Sequence, residues 1–193
     1  MSSKNDTSTF EDAAALGKLF DEHQARLLAM LRRRMDPALA RRVDPEDILS
    51  EAFLQARRRW PTFKEQAQVA PYVWLYRIAL DQLIEAHRRE TRERRDCRLD
   101  VAWPKRSSVQ LAFHLVDTGT GPSSALQREE LQDRFQKMLA LLSDRDREIL
   151  GMRHFDQLSF KDVASVLDIT VKTATVRYTR ALKRLKALWE SIQ

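Results

Sequence analysis

Cysteine, glycine and long apolar runs are all scarce in this sequence. The one cysteine, Cys97, cannot form an internal disulfide, and such sparse use is typical of a reducing compartment, so we expect a cytoplasmic protein. The 4 glycines in 193 residues favour a helical chain over a sheet-rich one. No stretch approaches the ~18 apolar residues of a membrane span, and the polar N-terminus lacks the apolar core of a signal peptide. We therefore expect neither membrane insertion nor secretion.

Patterns that support catalysis or metal binding are missing as well. The 4 histidines, His23, His87, His114 and His154, show no metal-ligand spacing among themselves or with Cys97. There is no glycine-rich phosphate loop, and no pair of carboxylates that helix capping does not explain better. We expect no cofactor, no metal and no enzymatic activity.

Positive charge is abundant. The chain has 34 Lys and Arg against 28 Asp and Glu, a net charge of +6 and a pI of about 9.7, which indicates a nucleic acid or an anionic membrane surface as partner. At this length the chain can form one or two domains, each with its own core.

The stretch 158–182 predicts two helices joined by a tight turn at Asp168 and Ile169. Ser159 and Asp162 have the spacing of a capping box, and Thr170 is an N-cap for the second helix. No acid occurs between Asp168 and Glu190, as expected of a recognition helix in a major groove; the alternative is an ordinary hairpin with a solvated basic face. The buried stripe of the second helix is predicted to be Ala174, Tyr178, Ala181, Leu182, Leu185 and Leu188. The DNA-contacting candidates are Thr170, Lys172, Thr173, Thr175, Val176, Arg177, Thr179, Arg180, Lys183 and Arg184.

An acidic strip opens another predicted helix. Asp44 is an N-cap candidate, Pro45 fits the first helical position, and capping with dipole compensation explains the acids of the first turn. Capping does not explain Glu51, so an acidic docking face is the second interpretation. The candidate residues of this face are Asp44, Glu46, Asp47, Ser50 and Glu51.

Aromatic and basic residues follow one another between Trp60 and Arg95. We predict a loop from Trp60 to Pro71 and a helix that Pro71 opens, buried at its start and basic at its end. Rings that stack on bases, beside cations that meet phosphates, suit single-stranded nucleic acid, although most of these aromatics are expected in the core. The candidates are Trp60, Phe63, Lys64, Tyr72, Trp74, Arg77, Asp81, Arg88 and Arg89.

We therefore predict an all-α fold of two small helical domains joined by a flexible linker, the C-terminal one a helix-turn-helix domain. The predicted divisions are a disordered tail over 1–9, a domain over 10–95, a linker over 96–123 and a domain over 124–193. The linker is indicated by turn signals such as Trp103-Pro104 and the Gly- and Ser-rich stretch before Ser124.

The apolar pattern also predicts individual helices in both domains. A helical period runs from Phe10 to about Met35. After the linker, Ser124 is expected to cap a helix with Met138 and Leu139 on its apolar face, and residues 143–146 are expected to start the next helix.

In their order and spacing, the stretches 44–53, 74–79, 142–150, 158–170 and 177–185 resemble the extracytoplasmic-function (ECF) sigma factors of bacterial RNA polymerase. The resemblance implies that residues 10–95 correspond to sigma region 2, which binds core polymerase and melts the −10 element, and that residues 124–193 correspond to region 4, which reads the −35 element. It implies three partners: core RNA polymerase, promoter DNA (duplex at −35, single-stranded at −10) and an anti-sigma factor or other regulator.

Two pairs of adjacent residues depart from the family pattern. Leu80 and Asp81 stand where the family usually has Arg-Asn, so Asp81 must pair with a cation, accept from a base amino group or face inward. Thr175 and Val176 stand where a basic residue and Ser are frequent, which indicates a shifted −35 preference, with Val176 able to contact a thymine methyl group.

A stand-alone helix-turn-helix regulator of duplex DNA is the alternative. Such a protein needs only the C-terminal half of the chain. This alternative does not explain the acidic strip or the aromatic and basic stretch.

Overall fold

A computed structural model describes residues 3–35, 37–66, 69–90, 138–139 and 141–191. Over these ranges the backbone forms six α-helices, one short 3₁₀ helix and no strand, which confirms the all-α class. The chain divides into two compact units, with the boundary between Cys97 and Arg98. The predicted linker and the start of the helix that Ser124 was expected to cap lie outside the described residues. None of the helices in the described ranges is long and apolar enough to cross a bilayer.

The first unit is a three-helix arrangement. Its elements are α1 (Ser3–Arg34), a 3₁₀ helix (Leu39–Arg41), α2 (Pro45–Gln66) and α3 (Pro71–Glu90), and each α-helix packs against the other two. Burial of each large apolar side chain stabilises the unit by about 1.5–3 kcal/mol. The side chains with almost no exposure include Leu16, Leu27, Met30, Leu31, Ala56, Leu75, Tyr76, Ala79 and Leu83.

Helix α1 begins earlier than the sequence predicted. We expected disorder up to residue 9 and a helix from Phe10, but the helical backbone starts at Ser3. Neither Pro nor Gly occurs before Gly17, so the polar segment at the start of the chain contains no helix breaker. The helix that contains the buried apolar residues of α1 can therefore extend back through this segment.

The loop predicted from Trp60 to Pro71 is wrong over its first part, because α2 continues through Pro61 to Gln66. A proline inside a helix removes one backbone hydrogen bond and costs about 3 kcal/mol. Ring packing offsets this cost: the centroids of Trp60 and Phe63 are 5.7 Å apart, and those of Phe63 and Trp74 are 4.3 Å apart in a stacked arrangement. This contact joins α2 to α3, so tertiary packing overrides the local signal.

The second unit contains the predicted helix-turn-helix. Its complete helices are α4 (Asp144–His154), α5 (Phe160–Val166) and α6 (Val171–Glu190). Met138 and Leu139 are helical and buried, as the sequence predicted. The core is formed by Met138, Leu139, Ile149, Leu150, Met152, Val163, Ala164, Ala174, Ala181 and Leu185.

The turn between α5 and α6 lies where the sequence placed it. Asp168 has a φ of 51°, in the left-handed region that Asp tolerates better than most residues. The backbone N–H of Ile169 donates to the carbonyl of Ala164 at 3.0 Å, which closes the end of α5. Ser159 accepts from the N–H of Asp162 while Asp162 accepts from the N–H of Ser159, so the capping box is confirmed.

Candidate nucleic-acid interface

Burial fixes which face of α6 is available to a ligand. Ala174, Ala181 and Leu185 are buried against the rest of the second unit, in which α6 packs on both α4 and α5. On a helix, residues about two positions away from this stripe lie on the opposite face. The structure accordingly exposes four of the predicted DNA-contacting residues, Thr175, Val176, Thr179 and Arg180.

The N-terminus of α6 is open. Thr170 accepts from the N–H of Thr173 at 3.1 Å, so its predicted role as N-cap is confirmed. The first turn contains no acid, and Val171 is 48% exposed. An open helix N-terminus without acids favours an anion such as a phosphate. The basic candidates Lys172 and Lys183 are exposed on the same helix.

Arg184 is held by a partner that the sequence did not reveal. Its guanidinium forms an ion pair with Asp146 of α4, whose side chain is 10% exposed while that of Arg184 is 62% exposed. The sequence marked Asp146 only as part of a helix start, and no sequence spacing joins two residues 38 apart. Arg184 therefore faces α4, unlike its neighbour Lys183. Arg177, another predicted contact, is half-buried.

A ring cluster fixes α6 to the two helices before it. The hydroxyl of Tyr178 lies 2.9 Å from Nε2 of His154, and its ring contacts Phe160 edge-on at a centroid distance of 5.3 Å. Burial raises the pKa of Tyr178, although the nearby Arg153 acts in the opposite direction. Arg153 itself lies 4.3 Å from the ring centroid of Phe160 and donates to the carbonyl of Leu158. The sequence placed Tyr178 on the buried stripe but did not predict these partners.

The acidic strip lies at the start of α2, and all five of its residues are exposed. Glu46 forms an ion pair with Arg32 of α1, so it is already partly neutralised. Its hydrogen bond with Asp44 lowers the pKa of Glu46 and raises the pKa of Asp44. Within the described ranges, neither Asp47 nor Glu51 takes part in an ion pair, so these two carboxylates remain available.

A groove runs along the acidic strip between α1 and α2. Its volume is about 470 Å³, and Phe20, Leu49 and Phe53 give it an apolar lining beside Glu46 and Ser50. Leu54, which also lines the groove, is 46% exposed and extends this apolar surface toward solvent. An apolar groove bordered by acids suits a partner helix with an apolar and basic face.

The aromatic candidates of the first unit divide into two groups. Trp60, Phe63 and Trp74 form a half-buried stack, with 5.8 Å between the centroids of the two tryptophans. Tyr72 is only 8% exposed, and the guanidinium of Arg26 lies 3.9 Å from its ring centroid. Tyr72 thus packs inside the unit with one ring face covered, and it does not offer the stacking surface that the sequence suggested.

The basic candidates of α3 lie on its surface. Arg77, Asp81 and Arg88 are spaced by four and seven residues, which places them on one face, and all three are exposed. Asp81 therefore does not face inward. Arg89 pairs with Glu85 at 3.6 Å, and Lys64 of α2 is exposed. Residues 91–95, the predicted end of this helix, lie outside the described ranges.

No group of three or more His, Cys, Asp or Glu side chains in the described part of the chain is arranged to hold a metal ion.

Two family models match the chain. Sigma-70 region 2 matches residues 19–93, which lie in the first unit, and Sigma-70, region 4 matches residues 132–185, which lie in the second. The second match contains α4, α5 and most of α6.

The curated relatives align over 72–92% of the chain. The ECF RNA polymerase sigma factor SigW of Bacillus subtilis is 27% identical over 143 residues, which cover 74% of this chain and 74% of SigW. The RNA polymerase sigma-H factor of Pseudomonas aeruginosa is 28% identical over 178 residues, covering 92% of this chain and 88% of that protein. The ECF RNA polymerase sigma-E factor of Escherichia coli K12 is 28% identical over 138 residues, covering 72% and 70%.

Two solved structures share the fold. CnrH, solved in complex with the cytosolic domain of CnrY, has a TM-score of 0.57 at 19% identity and covers 96% of both chains. The sigma factor RpoE of Bartonella quintana, solved with the anti-sigma factor NepR, has a TM-score of 0.51 at 20% identity and covers 88% of this chain and 95% of its own. The chain therefore belongs to the sigma-70 family, as an ECF sigma factor of bacterial RNA polymerase.

Proposed function

We propose that this chain directs core RNA polymerase to its promoters by holding the −35 element with residues 124–193 and opening the −10 element with residues 10–95. The observation that carries the proposal is the exposed outer face of α6, which has no acid before Glu190, on a helix whose inner face is buried at Ala174, Ala181 and Leu185. Sigma factors are not enzymes themselves, so this role is one of recognition and positioning.

At the −35 element, α6 enters the major groove. Arg180 is the best candidate for reading a guanine, because its two parallel N–H groups match the O6 and N7 acceptors and discriminate by about 1–3 kcal/mol. Lys172 and Lys183 contact phosphates on either side of the groove, and the open first turn after Thr170 receives another phosphate. These contacts position the helix, while Thr175, Val176, Thr179 and Arg180 select the sequence.

At the −10 element, the unpaired strand crosses the surface of α3. Arg77 and Arg88 supply the positive charge, and the half-buried stack of Trp60, Phe63 and Trp74 supplies rings at the edge of that surface. Stacking of one base on such a ring contributes roughly 1–3 kcal/mol, which offsets part of the cost of unpairing that base.

Core polymerase docks on the first unit through Asp47 and Glu51 and the groove beside them. The two carboxylates attract a basic surface, and the groove lined by Phe20, Leu49 and Phe53 accommodates its apolar side chains. Since the structural neighbour RpoE was solved with an anti-sigma factor, we further propose that an anti-sigma factor or another regulator binds this chain in the cytoplasm.

Binding of the full chain to purified core polymerase tests this proposal. We expect Asp47→Lys with Glu51→Lys to weaken binding at least tenfold while helix content by circular dichroism stays unchanged. Glu65→Lys is the matched control, because Glu65 is an exposed acid near the other end of α2 and should have no effect. Absence of binding by the unmodified chain, with sequence-specific binding to duplex DNA retained, would favour a stand-alone regulator instead.

A further inference from the structure

The hydroxyl groups on the reading face of α6 are already in use. Thr175 donates its hydroxyl hydrogen to the carbonyl of Val171 at 3.0 Å, and Thr179 donates to the carbonyl of Thr175 at 3.0 Å. A threonine hydroxyl has one hydrogen, so neither residue keeps a donor for a ligand. From the sequence, both side chains could donate hydrogen bonds to base edges. In the structure they can only accept them.

Their methyl groups are what remains for contact. Because Cβ is tetrahedral and the oxygen lies against the helix backbone, the other branch of each threonine is directed away from the hydrogen bond. Val171 and Val176 add apolar surface, at 48% and 41% exposure. Spacings of three and four residues make these side chains neighbours on the helix surface. We call the four residues the methyl strip: Val171, Thr175, Val176 and Thr179.

The borders of the methyl strip are positively charged. Lys172, Arg180 and Lys183 are exposed around it, and no acid occurs between Asp168 and Glu190. An apolar strip within cationic borders fits a polyanion that carries apolar groups of its own. In the major groove, only thymine offers such a group, its C5-methyl.

We infer that the methyl strip reads thymine methyl groups in the −35 duplex, an inference that rests on the proposed role of α6 in binding that element. Guanine is left to Arg180, since the two threonines have no donor for its O6 and N7 acceptors. The ligand is thus a duplex in which one or more thymines face the first turns of α6, next to a guanine within reach of Arg180.

The test begins with duplexes that the full-length chain selects from a random pool. In the tightest duplex, each thymine is replaced in turn by deoxyuridine, which removes only the methyl group and leaves base pairing intact. We expect at least one replacement to weaken binding about fourfold, the effect of losing one buried methyl-sized group. A selected site without thymine, or equal binding of the thymine and uracil duplexes, would overturn the inference.

Two matched variants assign the effect to the methyl strip. Val171→Ala with Thr175→Ser, Val176→Ala and Thr179→Ser removes methyl groups from all four residues of the methyl strip but keeps the hydroxyls, and it should bind both duplexes equally. Thr175→Val with Thr179→Val keeps the methyl groups but removes the hydroxyls, and it should retain the fourfold preference. Retained preference in the first variant, or loss of it in the second, would contradict the inference.

Failure of the proposed function would look different. In that case the full chain would enrich no sequence from the pool, and the inference would fail with it. Enrichment of a site whose uracil and thymine forms bind alike would leave the role in −35 binding intact and overturn the methyl reading alone.

Discussion

Lys183 and Arg184 are adjacent cations that we expect to behave in opposite ways. Lys183 is exposed, and within the described ranges it forms no ion pair, whereas Arg184 is paired with Asp146. Lys183→Ala should lower the slope of log K against log salt by about 0.9, the value for one phosphate contact, and should leave stability unchanged. Arg184→Ala should leave that slope unchanged.

Arg184→Ala should instead destabilise the second domain. It leaves the carboxylate of Asp146, 10% exposed, without its cation. Because Arg184 is itself 62% exposed, the loss is about 1–2 kcal/mol, between the values for surface and buried pairs. For a domain of this size the melting temperature should fall by at least ~4 °C.

Fluorescence anisotropy with a −35 duplex between about 50 and 200 mM salt gives the slope, and calorimetry of the same variants gives the melting temperature. An equal loss of slope in Arg184→Ala and Lys183→Ala would refute the reasoning. That result would mean that the Asp146 pair opens on DNA and frees Arg184 for a phosphate.

Three further predictions concern the caps, the ring cluster and the −10 surface. Ser159→Ala should lower the free energy of unfolding by about 1 kcal/mol in urea titrations, because it removes the capping box of α5, and an unchanged midpoint would contradict this. The pKa of Tyr178 is raised by burial, so the contribution of its neutral hydroxyl to stability should be constant below pH 10 and should be lost as pH rises through the folded-state pKa. Tyr178→Phe should remove that part of the pH dependence. An identical pH profile of stability for both proteins would show that Tyr178 does not cause it. Arg77→Ala with Arg88→Ala should slow promoter opening more than initial −35 binding, whereas equal losses in both steps would indicate plain phosphate affinity.

The features that the sequence predicted correctly are local ones. A capping box joins Ser159 to Asp162 within one helical turn. The helical spacing of Ala174, Ala181 and Leu185 identifies the buried face of α6, although the sequence does not show which helices pack on it. Residue types and spacing alone determine such features, so the helix-turn-helix was predictable to within a residue or two.

Two of the features that the sequence missed depend on residues far apart in the chain, and a third lies within one helix. From the sequence alone Pro61 predicts a helix end, because the packing of Trp60 and Phe63 on Trp74 of another helix has no local signature. The partner of Arg184 lies 38 residues away, and the polarity of Thr175 concealed a hydroxyl that is bonded to its own helix. The first two corrections come from contacts that only the folded chain brings together, whereas the hydrogen bond of Thr175 forms within its own helix.

Promoter opening by reconstituted polymerase tests the central claim most directly. Three samples contain a promoter with the selected −35 duplex: one with core polymerase alone, one with the chain alone and one with both. Permanganate detects unpaired thymines around −10 in each sample. The account predicts opening only when both are present. Specific binding of the chain to the promoter, with no opening and no recruitment of core polymerase, would contradict it.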